Sequence, residues 1–410
     1  MNDGVPDRVG AGALLEVDGR GRPCNCRHDR KSVAALAESI RNWEHTNWSE
    51  GMERQMKFGV MHLFPAEGNE RDVLFNTVDD IAFADELGFD SAWLAEHHFS
   101  RYGILGNPLM LGMLLAERTK RITLGTAVLV LPFHDPIRLA EDGALLDQLT
   151  GGRVRLGIGR GYQPKEFKGF RKDAADNKEL YQETVDILNL AWTEGNWSYQ
   201  GKHYQYEDMT IYPKPFTPGG PPLVHACSSR DSFRMRGLRG EPVIVSPQFT
   251  PLSLMQKNYD NYRSALIEGG HSAEEFDLPY MQQVWCGDSP SNLRAASEAA
   301  LTYYKSVGQI IPGSAEAVEA EKKYYEAVQR NIELLDLERT LTHGGNFGST
   351  DHVVDAIGTL GEQLGITHYI GWFRIPSLDS GIARDSMERF ASEVIPQLRD
   401  ESPLVSSSAS

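Results

Sequence analysis

From Met56 onward, short apolar runs alternate with segments whose apolar residues recur at helical spacing. The runs Lys57–Leu63, Ser91–Ala95, Ile122–Val130, Val154–Gly157, Pro222–Ala226, Pro242–Ser246, Tyr280–Trp285 and His368–Phe373 read as strands. Between them, Val73–Leu87, Leu109–Arg118, Ile137–Leu149 and Leu180–Ala191 carry helical periodicity. Eight strands with intervening helices are the count of a closed parallel barrel. The fold class expected is α/β, a (β/α)8 barrel with insertions. The stretch 56–400 exceeds the roughly 250 residues typical of that fold, so it must carry insertions. Residues 197–222, rich in Tyr, Pro and Gly, read as a hairpin-bearing insertion, and 307–343 as a long, partly helical excursion. Long insertions beside a barrel mouth commonly act as lids. Residues 1–55 are polar and Gly- and Arg-rich and read as an N-terminal extension, and 401–410 as a disordered tail.

The candidate chemistry gathers where predicted strands end. The stretch 90–108 runs DSAWLAEHHFSRYGILGNP, and its strand hands over directly to Glu96, His97 and His98. Side chains at the carboxyl ends of barrel strands line active sites, so this cluster points to catalysis or cofactor contact. Adjacent histidines point different ways on extended backbone and chelate poorly, so no metal is expected there. A second motif, GGRVRLGIGRGYQPKEF, follows a strand with Gly159-Arg160-Gly161. The flanking glycines let backbone pass close to a ligand, and Arg160 offers a rigid fork for phosphate or a ring carbonyl. Lys178 opens a helix and is a candidate anion contact. In HACSSRDS a strand passes into a helix whose start offers free amides and Ser hydroxyls to a phosphate. His134 and Asp135 precede Pro136, which opens an amphipathic helix. Ser349 and Thr350 cap a helix that could also hold phosphate.

Composition narrows the partners. With 41 basic and 57 acidic residues the net charge is −16, which disfavours nucleic acid and anionic membranes. No apolar run approaches the roughly 20 residues that span a bilayer, and the N-terminus lacks the apolar core of a signal peptide. Four cysteines make no disulfide framework, so a cytoplasmic, reduced protein is expected. The run CNCRH, 24–28, holds only a lone CxC and is weak evidence for a metal. No GxSxG elbow or Walker lysine supports hydrolase or nucleotide chemistry.

Taken in order, EHHF, GNP, GTAxxVLP, AEDxxLLDQ and GRxRxGIxRG resemble the luciferase-like flavin-dependent monooxygenases, and among them the alpha subunit of bacterial luciferase. The resemblance covers about 56–399 and speaks to the family far more than to a substrate. It implies reduced FMN as cofactor, O2 as co-substrate, a flavin peroxide, and a separate NAD(P)H:flavin reductase as partner. A small organic substrate, such as an aldehyde, a ketone or an aromatic or polyketide metabolite, would be hydroxylated or undergo Baeyer–Villiger oxidation, commonly in a homodimer.

On the same resemblance, His97 is the catalytic histidine that moves a proton, and Glu96 orients it or the flavin. Ala127 and Val128 match a non-prolyl cis peptide beneath the flavin ring. Arg160 and the backbone at Tyr162 match flavin contacts. Lys178, Cys227, Ser228 and Ser229 match phosphate-binding positions. The chain departs from the family where Gly159 replaces a reactive cysteine, Lys178 an arginine and Cys227 a glutamate. A deazaflavin-dependent hydride-transfer oxidoreductase is the competing enzyme reading. A non-catalytic flavin-binding partner subunit is the competing reading outside catalysis.

Overall fold

The computed structural model describes residues 55–400 except 67, 194, 248, 249 and 312–321. The expectations for the leader, the CNCRH run and the tail lie outside the described residues. The elements are β1 (Lys57–His62), α1 (Glu70–Leu87), β2 (Ser91–Leu94), α2 (Pro108–Arg118), β3 (Thr123–Thr126), β4 (Leu129–Val130), α3 (Pro136–Thr150), β5 (Val154–Gly159), α4 (Pro164–Gly169), α5 (Asn177–Ala191), β6 (Trp197–Gln200), β7 (Gln205–Met209), β8 (Leu223–Ala226), α6 (Arg230–Arg239), β9 (Val243–Ile244), α7 (Leu252–Glu268), β10 (Pro279–Cys286), α8 (Pro290–Val307), α9 (Lys322–Glu333), α10 (Leu337–Arg339), β11 (Asn346–Gly348), α11 (Thr350–Leu364), β12 (His368–Trp372), α12 (Ser380–Arg389) and α13 (Ile395–Asp400).

One parallel sheet runs β11-β10-β12-β1-β2-β3-β5-β8-β9, with β4 beside β5 and β10 returning to contact β9. Helices cover its outer face, giving the (β/α)8 barrel with insertions. The strands are continuous apolar runs because both faces are buried. Phe58 and Val60 on β1 face outward into a cluster with Ile81, Phe89 and Phe390, and the rings of Phe58 and Phe390 meet edge-on at 5.8 Å.

The barrel interior is filled. Trp93 donates its indole N–H to Ser91 Oγ at 2.9 Å, and that hydroxyl lies 2.8 Å from His368 Nε2. The indole lies over Gly125, where an added Cβ would come within 2.3 Å of it. Glycine is therefore required at 125 by the tryptophan opposite it.

Two expectations change in detail. The run Ile122–Val130 is not one strand: it breaks into β3 and β4 around Ala127 and Val128. The strand expected to stop at Gly157 continues to Gly159, and a short helix, α4, follows soon after it. The 197–222 insertion does carry a hairpin, with β6 and β7 antiparallel. Within the excursion, α9 and α10 are helical. Among the described residues no helix is long and apolar enough to cross a membrane.

Candidate functional site

Because the strands are parallel, their carboxyl ends share one rim. Glu96 follows β2, Ala127 and Val128 follow β3, Arg160 and Tyr162 follow β5, and Cys227 follows β8.

His97 is clasped on one side. Its Nδ1 lies 3.3 Å from Glu166 Oε1 and 3.0 Å from the Gln163 side-chain nitrogen, and its backbone N–H donates to Leu105 O. Glu166 sits on α4 and Gln163 caps that helix, and both are buried. Glu166 Oε1 also accepts the His98 backbone N–H at 2.9 Å. The His97 ring packs edge-on against Tyr102 at 4.7 Å and faces Tyr162 at 6.5 Å. Tyr102 bonds to the hydroxyl of Tyr303 on α8 at 2.7 Å.

Of the two roles expected of Glu96, orienting His97 is not one that its contacts serve. Its carboxylate does not reach His97. Oε1 accepts from His98 Nε2 at 2.8 Å, and Oε2 accepts from the Val130 amide and from His134 Nε2, each at 2.9 Å. The reason is the alternation along extended backbone, which turns the side chains of His97 and His98 apart. Only His98 is left in reach of Glu96. Burial alone would raise the Glu96 carboxyl. The charge of His134 and the bonds from His134, His98 and Val130 outweigh it and bring it down to about 2. Burial works against protonation of His134, but the Glu96 carboxylate wins and raises it. Glu96 is thus a buried anion tying together the ends of β2, β4 and the start of α3.

The peptide between Ala127 and Val128 is cis. A Cβ on Gly159 would meet Val128 Cγ2 at 2.6 Å and the Ala226 methyl at 3.7 Å. Val128 and Ala226 therefore flank Gly159 as an apolar shelf, and a cysteine at 159 would displace Val128. Arg160 is exposed, and its charge reaches the Cys227 thiol, which burial nonetheless pushes up to about 12. Ser228 is exposed, and Ser229 caps α6 in a reciprocal pair with Ser232. Arg230 and Asp231 lie in that first turn, where backbone amides have no partner within the helix. Lys178 is exposed on the first turn of α5. One turn on, Tyr181 reaches His225 of β8 at 2.6 Å, which sets α5 beside the strand that leads to Cys227.

The structure thus gathers His97 with Tyr162, Val128 with the end of β5, and Arg160 with Cys227. It sets Glu96 in a separate network. The sequence singles out His98 with Glu96 and His97, and His134 only for its place before a helix; Glu166 and Gln163 went unassigned in it, although both lie within the GYQPKEF motif. Their one signal was polar character beside two aromatic residues. Among the described residues, Asp176, Glu179 and His203 gather at metal-ligand spacing, but the Lys202 ammonium already bonds both carboxylates.

The profile of the luciferase-like monooxygenases matches residues 56–368. The chain belongs to that family. This luciferase-like chain is 33% identical over 224 residues to the alkanal monooxygenase alpha chain of the Kryptophanaron alfredi symbiont, covering 54% of this chain and 62% of that one. It therefore spans under two thirds of that relative's length. Its fold matches the oxygenating constituent of 3,6-diketocamphane monooxygenase from Pseudomonas putida, a type II Baeyer–Villiger enzyme solved with FMN. The TM-score is 0.70 at 20% identity, over 83% of this chain and 99% of that one. It also matches an F420-dependent secondary alcohol dehydrogenase bound to an F420-acetone adduct. Here the TM-score is 0.66 at 17% identity, over 84% of this chain and 100% of that one.

Proposed function

We propose that this protein is a flavin-dependent monooxygenase that uses reduced FMN and O2 to oxygenate a small organic substrate. A separate NAD(P)H:flavin reductase would supply the reduced flavin. The observation that carries this reading is His97, held at the barrel rim by Glu166 and Gln163 beside Tyr162 and Tyr102.

The residues present fit an anionic flavin nucleotide. Arg160, the Ser228–Ser229 turn and Lys178 are the donors for its phosphate and ring oxygens. Val128 and Ala226 offer a flat apolar surface to its ring. Reduced flavin, when bound, supplies the electrons that activate O2. His97 holds or moves a proton at its ring nitrogen, as imidazole does near neutral pH. Glu96 keeps β4 in register beneath Val128 by accepting the Val130 amide. The aromatic residues around His97 exclude water from the rim.

A homodimer is part of the proposal. Met110 and Leu114 on α2, and Leu145 and Leu149 on α3, are exposed apolar pairs on adjacent helices. Such patches mark interaction surfaces.

The deciding experiment mixes the protein anaerobically with reduced FMN and then with air, following absorbance and O2 uptake. Tight binding of reduced FMN and rapid O2 uptake support the reading. Binding of reduced deazaflavin in place of FMN, with no O2 uptake, would move the assignment to hydride transfer. A His97→Ala protein that binds flavin and oxygenates normally would remove His97 from the mechanism.

A further inference from the structure

A buried guanidinium stands behind the turn that ends β8. Arg236 lies two turns into α6 and is only 5% exposed. Helical side chains lean toward the start of their helix, so Arg236 reaches back toward Ser229. Its guanidinium carbon sits 5.5 Å from the centre of the Tyr181 ring on α5. The hydroxyl of that tyrosine is 2.6 Å from Nδ1 of His225, two residues before Cys227. Arg236 donates to Glu241 Oε2 at 2.5 Å, and the same oxygen lies 3.8 Å from His225 Nε2. The cation is thus fixed between α5, the end of β8 and the residue that follows the cap of α6.

The groups around it are uncharged. Burial pushes the Tyr181 phenol above its ordinary range and lifts the Cys227 thiol to about 12. Burial, with Arg236 and Arg239, keeps His225 well below 6.5. All three are neutral near pH 7. Among the described residues, the charges that act most on them are Arg236, Arg239 and Arg160, opposed by the Glu241 carboxylate. At Tyr181 and at Cys227 alike, Arg236 acts more strongly than Glu241 and more strongly than Arg160. The order has a physical reason. Arg160 is exposed and its field is damped by water, whereas Arg236 is buried. The Arg236–Glu241 pair therefore presents its positive end to the turn.

We propose that Arg236 gives the turn 227–229 a preference for a dianionic phosphate monoester, acting through its field from behind the turn without touching the ligand. The inference rests on the flavin reading of this turn. It deepens that reading by naming the residue that selects the phosphorylated flavin over the form that lacks the phosphate. Amides and serine hydroxyls accept any polar oxygen, so by themselves they discriminate little. A buried positive charge rewards a ligand in proportion to its negative charge, and an uncharged alcohol gains nothing from it. Cys227 takes part by staying neutral, since its thiol leaves the field uncancelled.

The test is anaerobic titration of the whole protein with reduced FMN and with reduced riboflavin, alongside calorimetric titration with inorganic phosphate. Glu241→Gln keeps the shape and an acceptor for Arg236 but removes the opposing charge. It should tighten FMN and inorganic phosphate about threefold and leave riboflavin unchanged. Arg236→Met should weaken FMN and phosphate about tenfold or more, with riboflavin moved far less. Combining the two substitutions should recover most of that loss, which a merely structural role for Arg236 would not allow. Weaker phosphate binding in Glu241→Gln, or an FMN-to-riboflavin ratio equal to the native one in both single variants, would overturn the proposal. So would a native protein that binds FMN no better than riboflavin. Phosphate affinities that follow the expected order in a protein that binds neither flavin would uphold the role of Arg236 and overturn the monooxygenase reading instead.

Discussion

Glu166 holds a carboxylate oxygen 3.3 Å from Nδ1 of His97, although the two are 69 residues apart in the chain. That same oxygen accepts the His98 amide, so it acts as an acceptor and asks for a proton on Nδ1. Gln163 can satisfy the same tautomer by presenting its oxygen, since the two ends of a side-chain amide are interchangeable in shape. The tautomer leaves Nε2 with a lone pair, which is the form a proton acceptor needs.

Glu166→Leu should therefore lower turnover by about 10²-fold, the lower end of what general acid–base catalysis contributes. Glu166→Gln should lose less, because its amide oxygen can still accept from Nδ1. Flavin affinity should be unchanged in both, and the pH–rate profile should shift. Turnover and profile of Glu166→Leu equal to those of the native protein would show that the contact only packs.

The Glu96–His134 pair sets a stability window. Glu96 is held below its ordinary 4.5, so its contribution is present above that value and is lost as pH falls toward about 2. His134 is raised above its ordinary 6.5, so its contribution is complete below 6.5 and is lost as pH rises through its folded value. The unfolding midpoint in urea should fall as pH is raised above 6.5. His134→Gln should flatten that alkaline slope while lowering stability at pH 6. An identical slope in the variant would exclude the pair as its cause.

On the acid side three buried histidines, His62, His225 and His368, are lowered by burial and act together. Burial lowers His62 to about 4 and His368 to about 4. The unfolded chain binds protons at these positions between 6.5 and 4, so stability should fall as pH drops through that window. His62 has no hydrogen-bond partner at either ring nitrogen, so His62→Leu should be tolerated and should reduce the slope. Denaturant titrations at pH 4.5, 5.5 and 6.5 would show it. A slope unaltered by His62→Leu would place the acid sensitivity elsewhere.

A Cβ on Gly157 would lie 1.8 Å from the carbonyl oxygen of Thr126, a backbone atom that cannot swing aside. Gly157→Ala should destabilise by about 3 kcal/mol, the upper part of the usual overpacking range, and lower the melting temperature. Gly358→Ala meets nothing within 4 Å and lies inside α11, so it should be neutral or slightly stabilising. Equal melting temperatures for the two variants would contradict the packing argument.

The barrel could be read along the chain because each central strand is a continuous apolar run, and β1, β2, β8 and β12 fall close to where those runs lie. The split of 122–130 was hidden because Ala127 and Val128 are as apolar as their neighbours. The rim position of His97 followed from its place after a strand. Its partners did not, because Glu166 on the short helix α4 looks like a solvated charge between two lysines. Only tertiary contact buries it. The same is true of His134, whose place before Pro136 suggested a helix start and gave no sign of Glu96.

The Trp93 indole lying across Gly125, above the Ser91–His368 bond, closes the axis of the barrel with solid side chains. Molecules that arrive at the rim cannot pass through to the opposite face. Arrival and departure therefore both take place on the rim side of that plug, and exchange between ligands is decided there rather than along the barrel axis.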